Sequence, residues 1–180
     1  MKRALFPLMV LAFLAGCASD EHATLQEINR PETSLLFGYM DMSGAPSKMN
    51  YFDMKNLPGY EKTYDFEVDN GLFYNAAVPL GSYQLNEFGG TSTLFLFFFP
   101  TFHRYTFLNP DAQFRIAKPS MYYLGSFKYE KDKDSFTITR IKTPTEAELL
   151  QRLYPKVQGT KWEAVVLNRL RSLGVRDAGN

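Results

Sequence analysis

The residue types that could carry out a reaction are few in this chain and far apart. It holds one cysteine, Cys17, and two histidines, His22 and His103. A metal site needs several thiol or imidazole groups at short, fixed spacing, and neither histidine has such a neighbour. His103 stands in "PTFHRYTF" beside Arg104 and among aromatics, where histidines are usually packed or at the surface. "FGGTST", residues 88–93, sets two glycines beside three hydroxyls, a composition that suits an anion cradle or a plain loop. The sequence holds no Gly-x-Ser-x-Gly elbow, no phosphate-binding loop and no dinucleotide fingerprint. Carboxylates gather in turns such as "EKDKD", residues 130–134, which reads as a solvated hairpin tip. Two hydrolytic carboxylates can lie far apart in a chain, and no spacing here singles out a pair. The expectation is no catalytic residue, no metal and no cofactor. That leaves the thiol.

Its position explains it. Lys2 and Arg3 are followed by an apolar stretch from Ala4 to Leu14, then by Ala15 and Gly16. A charged start, a short apolar run and small residues are the layout of a secretory signal. About eleven apolar residues are too few for a membrane-spanning helix, which needs roughly twenty. Leu14-Ala15-Gly16-Cys17 resembles the lipobox of bacterial lipoproteins. The resemblance implies cleavage after residue 16, a diacylglyceryl thioether on Cys17 and acylation of the new amine. One acyl chain anchors only marginally, at about 0.8 kcal/mol per buried CH₂, whereas several make attachment effectively permanent. Ala18, where that family uses Asp for inner-membrane retention, implies sorting to the outer membrane. With one cysteine no intramolecular disulfide can form.

Loss of residues 1–16 removes Lys2 and Arg3, so the formal charge falls by two from the +1 of the whole chain. A chain so close to neutral has no basic field for nucleic acid. Residues 17–33 are polar and read as a lipidated N-terminus and tether, with a short helix at 25–28. Residues 34–141 then supply short apolar or alternating runs near 34–42, 48–57, 62–68, 72–78, 82–88, 94–99, 103–108, 112–117, 120–130 and 135–141. Turn clusters separate them, and Asp69-Asn70-Gly71 is a hairpin signal. With 16% aromatic residues, this pattern predicts a mainly β, antiparallel β-sandwich.

The period changes over residues 142–174, which read as a pair of C-terminal α-helices, with a tail at 175–180. Thr143-Pro144-Thr145-Glu146 predicts a helix start with Pro144 in the first turn, an apolar stripe of Ala147, Leu150, Leu153 and Tyr154, and an end at Pro155. Thr160 and Glu163 predict a second capping box. Trp162, Val165, Val166, Leu170 and Leu173 form its apolar face, and Gly174 marks its end.

Between Gly38 and Gly90 the chain resembles the carboxypeptidase-regulatory-like, transthyretin-like β-sandwich modules. "GYMDMSGAPSKM" is similar to their first strand and turn. "DNGLFYNAAVPLGSYQLNEFGG" is similar to their Asp-x-Gly turn and Pro-x-Gly-x-Tyr corner, on Asp69, Gly71, Phe73, Pro79, Gly81, Tyr83, Leu85 and Gly90. The resemblance implies a transthyretin-like sandwich acting as a structural or interaction domain rather than a catalyst. In the corner, Gly81 is expected to take positive φ, and Tyr83 to bury its ring and bond the backbone.

Two surfaces stay open from sequence. "LFLFFFPTFHRYTF", residues 94–107, holds six phenylalanines and a tyrosine, either as core or as an apolar patch built on Phe97, Phe99, Phe102 and Tyr105. The Trp162 helix face is either core or a docking surface. The function these readings favour is a lipid-anchored, non-catalytic envelope protein with a structural or partner-binding role. The alternatives are a carrier for an apolar ligand held by 94–107 and, behind it, an envelope-polymer hydrolase.

Overall fold

A computed structural model describes residues 23–93, 100–107, 112–133 and 135–175. The signal segment, Cys17, His22, the expected strand at 94–99 and the tail after 175 lie outside these residues. The described residues form a four-residue helix, α1 (Leu25–Ile28), then ten strands and two longer helices. Half of the described residues are strand and a fifth helix. The strands are β1 (Ser34–Asp41), β2 (Tyr51–Leu57), β3 (Thr63–Asp65), β4 (Glu67–Asp69), β5 (Leu72–Val78), β6 (Gly81–Thr93), β7 (Pro100–Thr106), β8 (Gln113–Ile116), β9 (Met121–Asp132) and β10 (Ser135–Ile141). The helices are α2 (Glu146–Val157) and α3 (Trp162–Ser172).

Two five-stranded sheets face each other. One runs β10-β9-β1-β5-β4; the other runs β3-β2-β6-β7, with β8 also on β6. An all-antiparallel arrangement was expected, and β1 against β9 breaks it. This pair is parallel, from Leu35↔Met121 to Asp41↔Lys128. Parallel neighbours need a long crossover, and everything from β2 to β8 supplies it.

The sheets meet through aromatic rings. Phe52 of β2 stacks on Phe73 of β5 with centroids 4.0 Å apart, and Phe66, between β3 and β4, stands edge-on to both. Such ring pairs add about 0.5–1.5 kcal/mol each beyond the area they bury. A second apolar layer lies behind the first sheet. Leu35 and Phe37 of β1 and Leu72, Tyr74 and Ala76 of β5 pack on Leu149, Leu150, Leu153, Trp162, Val166 and Leu170. β1 sends Leu36 and Met40 into the inter-sheet core and Leu35 and Phe37 under the helices. It is therefore buried on both faces, as its unbroken apolar run requires.

The helices begin later than the sequence suggested. Thr145, not Thr143, caps α2: its hydroxyl accepts from the Glu148 amide, and Glu148 accepts from the Thr145 amide at 2.7 Å. Pro155 lies inside α2, which continues to Val157. In α3 the cap position is Lys161 with no side-chain cap bond, while the Thr160 hydroxyl accepts from the Trp162 amide at 3.1 Å. The buried stripe of α3 is Trp162, Val166 and Leu170; Val165 and Leu173 are each 38% exposed. The helix closes with Val175 N–H on the Leu170 carbonyl and Gly174 N–H on that of Arg171, a Schellman ending.

Residues 24–33 are not a free tether. Thr24 caps α1 through a capping box with Glu27. Thr33 is buried, and the Lys161 side chain donates to the carbonyls of Arg30 and Thr33 and to the Thr33 hydroxyl. The Lys161 amide donates to Asn29 Oδ1 at 2.8 Å. Those bonds fasten the start of the body to α3.

Candidate functional site

An open groove of about 1140 Å³ runs between α1, the β3–β4 crossing and the end of α2, floored by β5. The β3–β4 segment makes one wall because the chain passes there from one sheet to the other, with Phe66 buried as the pivot. The lining mixes Glu27, Arg30, Lys62 and Lys156 with Tyr64 and Tyr74. The Tyr74 phenol donates to Glu67, and burial first, then that carboxylate, pushes its pKa upward. Asn75 Nδ2 donates to the Asp65 carbonyl at 2.6 Å, and the Lys62 ammonium stands 4.9 Å from the Tyr64 ring centroid. Charges of both signs beside tyrosine rings can hold a polar chain; nothing in this set makes a reacting centre. Among the described residues, no group of three or more His, Cys, Asp or Glu is placed to hold a metal.

Of the corner residues, Pro79 lines this groove. Tyr83 is buried and donates to the Pro79 carbonyl at 2.8 Å, with its ring edge-on to Tyr64 at 5.5 Å. Asp69 and Gly71 flank the hairpin turn, with Asn70 at φ 49° and Gly71 at φ 84°. Lys156 pairs with Asp69 at 2.7 Å, and Arg152 donates to the Asp69 carbonyl. The lysine holds the Asp69 carboxyl below its ordinary range. Gly81 corrects the expectation: its φ is not positive. A Cβ there would meet the Tyr83 hydroxyl at 3.1 Å and ring carbons at 3.2 Å, so the ring, not the turn, asks for glycine.

The aromatic stretch divides. Phe107 is core and Tyr105 half-buried, its ring 4.8 Å from Tyr129 and 5.1 Å from Phe136. Phe102 is 78% exposed on the outer face of β7, the last strand of its sheet among the described residues. Phe97 and Phe99 lie outside the described residues. Trp162 is not surface. It is 4% exposed and its indole N–H donates to the Ala76 carbonyl at 2.8 Å, which removes it as a docking residue.

One pairing escaped the sequence reading. Ser92 Oγ lies 2.7 Å from His103 Nε2, because "FGGTST" is not a loop but the far half of β6, antiparallel to β7. The glycines serve close approach: a Cβ on Gly90 would sit 1.8 Å from the Lys48 carbonyl oxygen. A hydroxyl on an imidazole is the first half of a nucleophilic dyad. Among the described residues no carboxylate bonds to this histidine, and neither member lines the groove.

No family model matches the chain, and no curated protein matches it. Among solved structures, a 9R-lipoxygenase from Cyanothece PCC8801 is matched over 78% of this chain at 8% identity and a TM-score of 0.26. This chain spans 24% of that protein, and a likeness so slight carries no argument about fold or activity.

Proposed function

We propose that the protein is a lipid-anchored, non-catalytic component of the cell envelope, held through Cys17 in the outer membrane and binding a partner protein. The carrying observation is Leu14-Ala15-Gly16-Cys17 behind a charged and apolar start, with that cysteine the chain's only one. The body suits the role, since Asn70-Gly71 and the Tyr83–Pro79 bond supply two of the turns that the transthyretin-like resemblance implies. The mixed groove offers a peptide surface without a reacting group. Among the described residues no helix is long and apolar enough to cross a membrane.

Cys17→Ser tests the anchor. The variant should remain as unprocessed precursor or leave the membrane fraction, and its normal attachment would defeat the reading. A second reading, a carrier for an apolar ligand, is favoured by the exposed ring of Phe102. It requires acyl-free protein to light up a hydrophobic dye, with Phe102→Ser reducing the signal.

A further inference from the structure

The residues nearest the proposed anchor fix how the body faces the membrane. Thr24 caps α1, Thr33 is buried, and Lys161 bonds Asn29, Arg30 and Thr33, so the body begins at residue 24. Seven peptide steps separate Cys17 from Thr24. They span at most about 25 Å, the contour length of that many residues. A folded body of this length is roughly 40 Å across, so the link is shorter than the body it carries.

β1 then serves as a ruler. It starts at Ser34, directly after the clamped segment, and ends at Asp41, about 23 Å further on at strand rise. At the start lie α1, the Pro79 corner and the α2–α3 connection; Ser34 pairs with Val78. At the exit lie Ser43 and the Asn70-Gly71 turn; Tyr39 pairs with Leu72. Leu25, in the first turn of α1, is 64% exposed, an apolar side chain one residue beyond the link.

We infer that the α1 end, led by Leu25, rests on the lipid headgroup layer, while the β1-exit end faces away from the bilayer. The inference rests on the lipid-anchor reading and adds the surface and its orientation. The groove, lined in part by α1, then opens beside the headgroups.

The test uses the full-length, lipidated protein in phosphatidylethanolamine–phosphatidylglycerol vesicles containing a headgroup quencher. Cys17 is consumed as a thioether, so an added cysteine takes a fluorophore alone. Gln26→Cys and Ser43→Cys place the dye on exposed residues at the two ends. The expected result is loss of emission at 26 and little loss at 43. Ten Gly/Ser residues inserted after Asp20 should abolish that difference while the vesicles still carry the protein through flotation. Equal quenching at both positions in floating protein would overturn the orientation and leave the anchor standing. Failure of both labelled proteins to float would overturn the anchor reading, and this inference with it. Lys161→Ala should also shrink the difference, with the melting temperature of the body reporting whether it stays folded.

Discussion

At the scale of single residues, the corner at Tyr83 does two jobs with one side chain. Its hydroxyl ties β6 back to Pro79, and its ring fills the space that a side chain on Gly81 would need. Tyr83→Phe removes the bond and leaves the Pro79 carbonyl short of a partner, so stability should fall by about 1 kcal/mol. A urea midpoint matching the parent protein would contradict that. Gly81→Ala should also destabilise, and its cost should shrink in a Tyr83→Leu background, because the clash is with the ring. Equal costs in both backgrounds would place the constraint in the backbone instead. A double-mutant cycle separates the two.

At the scale of elements, the start of α2 is a competition between two threonines two residues apart. Thr145 holds the reciprocal bonds with Glu148, so Thr145→Ala should cost about 1 kcal/mol, and Thr143→Ala close to nothing. Thermal melts of the two variants decide it; a larger loss from Thr143→Ala would move the cap back. The sequence reading missed this because Thr143 with Glu146 and Thr145 with Glu148 both satisfy the same spacing, and only geometry chooses. The Asn70-Gly71 hairpin, the short α1 and the existence of both long helices were legible, since each depends on neighbours in sequence. What sits against each element was not. Gly89-Gly90 read as part of a loop or anion cradle but lets another chain segment pass close, and Ser92 meets His103 only through pairing of β6 with β7. The docking of 24–33 on Lys161 joins groups about 130 positions apart in the chain. No local pattern encodes such a contact.

At the scale of the whole molecule, several tyrosines sit with their phenols in or near the aromatic core. Burial pushes Tyr105 up to about 12, helped by its neighbour Tyr129, and raises Tyr74 and Tyr83 as well. Each is neutral in the folded state at a pH where the unfolded chain begins to ionise, near 10. Their stabilising contribution is therefore complete below pH 10 and is lost as pH rises through the folded values. Denaturant midpoints should hold up to about pH 10 and drop steeply by pH 12, with late-appearing tyrosinate absorbance. Early, uniform ionisation of all the tyrosines would contradict the burial.

The parallel seam of β1 and β9 has a consequence for the order of assembly. β1 reaches both of its neighbours only after residue 128 is present, since its partners run from Met121 to Lys128 on one side and from Leu72 to Val78 on the other. The helices that cover its outer face come later still. Contacts that span so much chain form slowly. A polypeptide delivered through a pore N-terminus first would thus emerge with its first strand unsheltered, and would become compact only once nearly all of it had passed.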